Sequence, residues 1–152
     1  METMTIETKI TITNDAIESM LVTAIEGGSN YWFCFDSKEL KDARTWLVKE
    51  IEKGNLKRNE SVHYWWMDAM FQGYPHPIRI YDVEEVYGED DVIADFEPIG
   101  YLSMENIKKG LEKASKEYPN QFQQFFPIYV NGDACDADVI FQLICLDDVV
   151  YG

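Results

Sequence analysis

The stretch that most constrains the fold is an apolar run near the carboxyl end. Residues 137–146 read ADVIFQLICL, with apolar side chains on nearly every side of a helix. A helix of this kind must be buried, so we predict a central helix over residues 137–146, capped by residues between Asp133 and Asp136. Gln142 lies inside this helix and, once buried, needs a hydrogen-bond partner from the backbone or from a ligand.

Helical periodicity and capping residues predict three earlier helices. The first begins at Asp15, with Glu18 at the spacing of a capping box, the second spans residues 37–53 after Asp36, and the third follows Ser103. Their apolar stripes are Ile17, Met20, Leu21 and Ala24; Leu40, Ala43, Leu47 and Ile51; and Ile107, Leu111 and Ala114.

The remaining segments favour strands or stay ambiguous. Residues 5–13 alternate threonine with isoleucine, which suits a first strand or an extended arm, and residues 31–35 and 78–83 also have strand character. The aromatic segment 59–72 favours a short helix, with a strand as the alternative. Residues 127–130 suit a further strand.

Length and composition favour one folded unit. The chain has 152 residues, of which 46% are hydrophobic, with no apolar run long enough to span a membrane. We therefore predict a single compact α+β domain over residues 1–152, with a small mixed or antiparallel sheet packed with three to four helices.

The charge is strongly acidic. Twenty-eight Asp and Glu residues against 13 Lys and Arg give a formal net charge of −15, which disfavours direct binding to nucleic acids or membranes and suits a basic partner. Residues 84–97 contain seven acids and no base. This segment is either a solvated loop or a partner-binding acidic patch made of Glu84, Glu85, Glu89, Asp90, Asp91 and Asp95.

No pattern of catalytic or metal-binding residues stands out. His63 and His76 have no nearby nucleophile or metal-ligand spacing, and the three cysteines form no CxxC pair, which favours free thiols in a reducing cytoplasm. The acidic group from Asp133 to Asp138 lacks the spacing of a calcium loop and is better explained by helix capping. We predict a cytoplasmic protein that is not an enzyme and has no cofactor.

A glycine turn joins the first helix to the aromatic run. Gly27 is placed to end the helix with a positive φ, and Gly28 leaves backbone N–H groups beside Asn30, Tyr31 and Trp32. This turn is either a small-molecule contact surface or a tight turn that leads into a buried strand. Four Trp, nine Tyr and eight Phe residues also offer stacking surfaces for flat ligands, although core packing explains most single rings and exposed rings would suit self-association.

Both ends of the chain resemble a family of small uncharacterised phage and prophage proteins. Residues 24–32 (AIEGGSNYW) are similar to the family's "ALEGGxNYW" signature, and residues 136–142 with the closing VVYG are similar to its "ADxxxQ…VVYG" ending. Gly100 to Ser103 and Gly110 resemble a weaker middle motif. Residues 62–71, 84–97 and 144–148 depart from the family.

The resemblance implies a phage-encoded accessory protein that counteracts host defence in the bacterial cytoplasm. It also places the most characteristic residues in two segments that we expect to adjoin, either around a pocket or as a structural lock. The predicted ligand-binding residues are Gly27, Gly28, Asn30, Tyr31, Trp32, Gln142 and Tyr151.

Two modes of action follow from these features. The first is sequestration of a small nucleotide-like signal, with Lys57, Arg58 or Arg79 as candidate phosphate partners. The second is acidic, DNA-mimic-like inhibition of a basic host defence protein such as a nuclease or a CRISPR effector. Self-association into a homo-oligomer is compatible with either.

Overall fold

This computed structural model describes residues 2–86, 93–126 and 132–152. Along the chain, helices alternate with short strands. The helices are α1 (Asn14–Thr23), α2 (Ser37–Glu52), α3 (Trp65–Phe71), α4 (Met104–Glu117), α5 (Pro119–Gln123) and α6 (Ala134–Leu146). The strands are β1 (Phe33–Cys34), β2 (Ile78–Asp82) and β3 (Gly100–Leu102). A π-helical turn (Ala24–Gly28) extends α1, and a 3₁₀ turn (Ile93–Asp95) precedes β3.

The predicted α+β class is confirmed. Four of the helices are long, and α3 and α5 are short additions to them. The strands form one antiparallel sheet in the order β1-β2-β3, in which Phe33 pairs with Asp82 and Ile80 pairs with Gly100.

Helix α6 occupies the centre, as its apolar composition predicts. Eight of its residues are buried, and the helix packs against α1, the π-helical turn, β3, α4 and α5. It begins three residues before the predicted start, because Asp133 and Asp136 form a capping box ahead of Ala137.

The other predicted helices and their apolar stripes are also confirmed. The side chain of Asp36 accepts a hydrogen bond from the Lys38 amide at the start of α2, and Ser103 accepts one from the Asn106 amide at the start of α4. In the aromatic segment, the helix alternative is correct for Trp65–Phe71.

Two points about the amino-terminal part need correction. Of the two alternatives for residues 5–13, the strand is wrong, because no other described strand pairs with them, which leaves the arm. Helix α1 begins at Asn14 rather than Asp15, since Thr13 is the cap and its hydroxyl accepts a hydrogen bond from the Ala16 amide. Asp15 lies instead in the first turn, where its charge interacts favourably with the helix dipole.

Some predictions fall outside the described residues. These are the strand at residues 127–130 and the acidic-patch residues Glu89, Asp90 and Asp91. Within the described ranges, no helix is both long enough and apolar enough to cross a bilayer.

The contact between α4 and α6 depends on Gly110. A Cβ atom built on this glycine would lie 2.5 Å from Ile144 Cγ1 and 2.6 Å from Ile144 Cα, far inside van der Waals contact. The missing side chain therefore lets the two helices approach closely.

We expect Gly110→Ala to lower the free energy of unfolding by roughly 1–3 kcal/mol, because the added methyl group overpacks this contact. An ordinary Gly→Ala change in a helix interior has the opposite sign, about 1 kcal/mol of stabilisation. Urea unfolding measures the difference. Gly27→Ala is the control, since a Cβ there would meet no atom within 4 Å. An unchanged midpoint for Gly110→Ala would contradict the close packing of α4 and α6.

Candidate functional site around Asp138

A π-helical turn directs the residues after α1 towards the start of α6. The Ser29 amide donates to the Ala24 carbonyl at 2.7 Å, and the Trp32 amide donates to the Ser29 carbonyl at 3.1 Å. Gly28 lies against the Ala134 backbone so closely that a Cβ would overlap the Ala134 carbonyl oxygen. Ser29, Tyr31 and Trp32 are thereby held beside the first turns of α6.

The positive φ predicted for Gly27 is wrong. Among the described glycines only Gly54 and Gly73 have positive φ, whereas Gly27 lies inside the π-helical turn. In this turn glycine is needed at Gly28, where the missing side chain lets the backbone approach that of Ala134 closely.

The Asp138 carboxylate accepts four hydrogen bonds from side chains. Its Oδ1 accepts from Ser29 Oγ at 2.7 Å and from Trp32 Nε1 at 2.8 Å. Its Oδ2 accepts from Tyr31 Oη at 2.7 Å and from Gln142 Nε2 at 3.1 Å. Since an ionised carboxylate has about four acceptor positions, all of them are used.

Gln142 extends these contacts to the end of the chain. Its Nε2 also donates to the Tyr151 carbonyl at 2.9 Å, and its Oε1 accepts from the Val150 and Tyr151 amides, both at 2.8 Å. The side-chain amide thus pairs with the tail as a neighbouring strand would. The Tyr151 ring stacks on Trp32, with centroids 5.1 Å apart and an angle of 9° between the planes.

We call this group the Asp138 network; it consists of Ser29, Tyr31, Trp32, Asp138, Gln142 and Tyr151. It is mostly closed to solvent: Ser29 and Gln142 are 0% exposed, Trp32 2% and Asp138 8%, whereas Tyr31 is 50% exposed. No ion pair between described residues involves Asp138, so neutral donors alone stabilise its charge. Desolvation and the hydrogen bond to Asp138 raise the pKa of Tyr31 to about 12.

The structure brings together four of the predicted ligand-binding residues. Tyr31, Trp32, Gln142 and Tyr151 adjoin in the Asp138 network, as expected for two neighbouring segments. Gly27 and Gly28 lie in the turn beside it, and the Asn30 side chain is exposed. Because the network donors and acceptors bond to one another, we interpret the network as a structural lock; ligand binding by these residues stays a prediction.

Sequence reasoning missed the centre of the network. The local pattern assigns Asp138 to helix capping and Ser29 to a turn. The signal that points to the network is the spacing of Asp138 and Gln142, two polar residues one turn apart on the same side of an otherwise apolar helix.

Two of the described acids of the predicted patch, Glu84 and Glu85, lie near the tail. Glu84, Glu85 and Asp95 are exposed, and the Glu84 amide donates to Asp82 Oδ1 at 2.9 Å. Burial raises the pKa of Tyr151, and the negative charges of Asp82, Glu85 and Glu84 raise it further, so these acids face the tail. We call Asp82, Glu84 and Glu85 the acidic segment.

Arg58, a candidate phosphate partner, belongs to a second buried polar centre that was also missed. It pairs with the buried Asp68 at 2.9 Å, donates to the Val62 carbonyl at 2.7 Å and lies over the Trp65 ring. The Asn59 amide and Gln72 Nε2 complete the hydrogen bonding of Asp68. The Arg58 guanidinium is therefore engaged within the chain.

Known proteins provide no template for this site. No family model matches the chain, and no curated protein or solved structure is significantly similar to it. In the described parts of the chain, no three His, Cys, Asp or Glu side chains are grouped so as to hold a metal ion.

We expect Asp138→Asn to lower the free energy of unfolding by about 2–4 kcal/mol, because an amide nitrogen would face donors that now bond to a carboxylate oxygen. Chemical denaturation measures the loss. Asp15→Asn is the control, since Asp15 is exposed in the first turn of α1, and it should cost under about 1 kcal/mol. Similar losses in the two variants would show that the network is not a stabilising centre.

Tyr31 should make folding sensitive to alkaline pH. Its pKa rises from 10.0 to about 12 in the folded state, so its contribution is complete below pH 10 and is lost as the pH rises through about 12. Tyr31→Phe removes this contribution, and the stability difference between the two proteins should shrink across that range. Denaturation at several pH values measures the difference; a pH-independent difference would contradict the assignment.

Proposed function

We propose that this chain is a non-catalytic, acidic binding protein that occupies a cationic surface of another protein. The observation that carries the proposal is the net charge of −15 together with its uneven distribution. Lys and Arg are absent from residues 10–37, 80–107 and 117–152, which include α1, β1, β3, α5, α6 and the tail. Every residue of the Asp138 network lies in these stretches, so the segments that form it contain acidic residues and no basic one.

The basic residues of α2 and α4 are partly neutralised by near neighbours. Lys38 pairs with Asp42, and Lys109 pairs with Glu105. By contrast, no ion pair among the described residues involves Glu84, Glu85 or Asp95. These exposed carboxylates are available to a partner, and a surface that binds phosphates would accept them.

The geometry gives less support to sequestration of a nucleotide-like signal. The centre of the expected pocket is a carboxylate, which repels phosphate, and the donors around it already have partners. Arg58, which would offset that repulsion, is bonded to Asp68.

The resemblance of both chain ends to phage proteins suggests where the partner is found. A phage protein that binds cationic protein surfaces would act on the DNA- or RNA-binding groove of a host defence enzyme, such as a nuclease or a CRISPR effector. Occupation of that groove inhibits the enzyme by preventing nucleic-acid binding, and the inhibitor needs no catalytic activity of its own.

The charge-reversal variant Glu84→Lys/Glu85→Lys tests the proposal. We expect the wild-type chain to displace labelled duplex DNA from a susceptible purified bacterial nuclease or CRISPR effector. The competition should be weaker at high salt, because the Debye length falls to about 3 Å at 1 M ionic strength. Charge reversal should weaken competition by about tenfold or more. Fluorescence anisotropy of the DNA measures both effects.

Glu52→Lys/Glu60→Lys is the matched control. It changes the net charge equally, at exposed residues outside the acidic segment, and should compete nearly as well as wild type. Equal losses in the two variants, or competition that does not depend on salt, would contradict a specific acidic surface. A thermal midpoint raised by nucleotides and lost in Tyr31→Ala would support sequestration instead.

A further inference from the structure

The segment before α1 is a strand-like sequence without a partner. Residues 2–12, called the arm below, form no hydrogen bond to any other described residue. Three large apolar side chains on it face solvent: Met4 is 84% exposed, Ile6 72% and Ile10 46%. Its alternating Ile and Thr residues favour β structure, and an unpaired strand of this composition is a template for pairing with another chain.

The sequence of the arm is symmetric about Thr8. Ile6 mirrors Ile10, Thr5 mirrors Thr11, and Met4 mirrors Ile12. The two residues that flank Thr8 are Glu7 and Lys9, which have opposite charges. An antiparallel pair of identical strands centred on Thr8 would therefore match every residue with a similar or complementary one.

We propose that two copies of this chain associate by antiparallel pairing of their arms about a two-fold axis at Thr8. Residues opposite each other lie on the same face of a two-stranded ribbon, so Glu7 of each copy faces Lys9 of the other. The even-numbered residues form one apolar face, and the odd-numbered residues form a polar face with two cross-strand ion pairs. The interface is isologous, as a closed dimer requires.

The body of each copy extends the apolar face. Ile10 and Ile12 line a groove with Ile107, Leu111 and Phe122 of α4 and α5. In the proposed register, Ile6 and Met4 of the second copy lie opposite Ile10 and Ile12 of the first. The most exposed residues of one arm are thereby covered at the groove of the other copy.

The register predicts how charge changes alter association. Glu7→Lys places a new lysine opposite Lys9 of the other copy, and Lys9→Glu places a new glutamate opposite Glu7, so each variant alone contains two like-charge pairs. Both residues are exposed, so the fold should be retained, which circular dichroism verifies. Light scattering coupled to size-exclusion chromatography should give twice 17.7 kDa for wild type and a dissociation constant raised by about tenfold or more for each variant.

Mixing the two variants supplies the matched control. The Glu7→Lys arm has lysine at positions 7 and 9, and the Lys9→Glu arm has glutamate at both positions, so a heterodimer of the two brings only opposite charges together. In the register about Thr8, the lysine at position 7 of the first variant faces the glutamate at position 9 of the second. The lysine at position 9 of the first variant likewise faces the glutamate at position 7 of the second. The mixture should therefore dimerise as wild type does although neither component does.

The double variant Glu7→Lys/Lys9→Glu exchanges the two charges and should also dimerise. A monomeric wild type at the highest soluble concentration, or single variants that dimerise like wild type, would overturn the proposal.

A cysteine at the symmetry axis tests the register directly. In a Cys135→Ser background, which removes the exposed native thiol, Thr8→Cys should form an intermolecular disulfide under mild oxidation because position 8 faces itself. Thr5→Cys, which faces Thr11, should not cross-link. Equal cross-linking of both variants would overturn this register. If the wild-type chain associates only with a different protein, the proposal that the arm pairs with a second copy of the chain is wrong.

Discussion

The fold depends on the burial of one carboxylate. Removing an ionised aspartate from water costs several kcal/mol unless all of its acceptor positions are satisfied. Asp138 meets this condition with donors from two places, the residues after the π-helical turn and Gln142 in the next turn of α6. The tail in turn holds Gln142 through three further hydrogen bonds. Because the donors are far apart in sequence, the charge is tolerated only when these segments are assembled, which makes the network specify the fold as well as stabilise it.

The network also places the sheet and the acidic surface. Strand β1 begins at Phe33, directly after Trp32, and the Val83 amide donates to the Trp32 carbonyl at 3.1 Å. The position of Trp32 against Asp138 therefore sets where the end of β2 lies, and with it the acidic segment that follows. The proposed partner-binding surface is thus carried by residues that directly flank a backbone hydrogen bond to Trp32 of the Asp138 network.

The sequence predicted what local patterns determine and missed what distant contacts determine. Helix caps at Asp36, Ser103 and Asp133 could be identified because the capping side chain and the backbone N–H that donates to it lie within three residues. The role of Asp138 could not, since three of its four partners lie more than 100 residues away along the chain. The strand alternative for the arm is wrong for a related reason: strand propensity is local, but a strand exists only where another chain segment pairs with it.

Self-association and strong acidity are compatible because of the geometry of the arm. Two bodies of charge −15 repel each other, and packing them face to face would bring like charges within a Debye length, about 10 Å at 0.1 M ionic strength. In an antiparallel ribbon, α1 of each copy follows the opposite end, and nine paired residues at about 3.4 Å each separate those ends by roughly 30 Å. At that distance most of the repulsion is screened, whereas the Glu7 and Lys9 pairs remain in contact. An arm is therefore the form of interface that a chain this acidic can use to pair with itself while leaving its acidic surface open to a cationic partner.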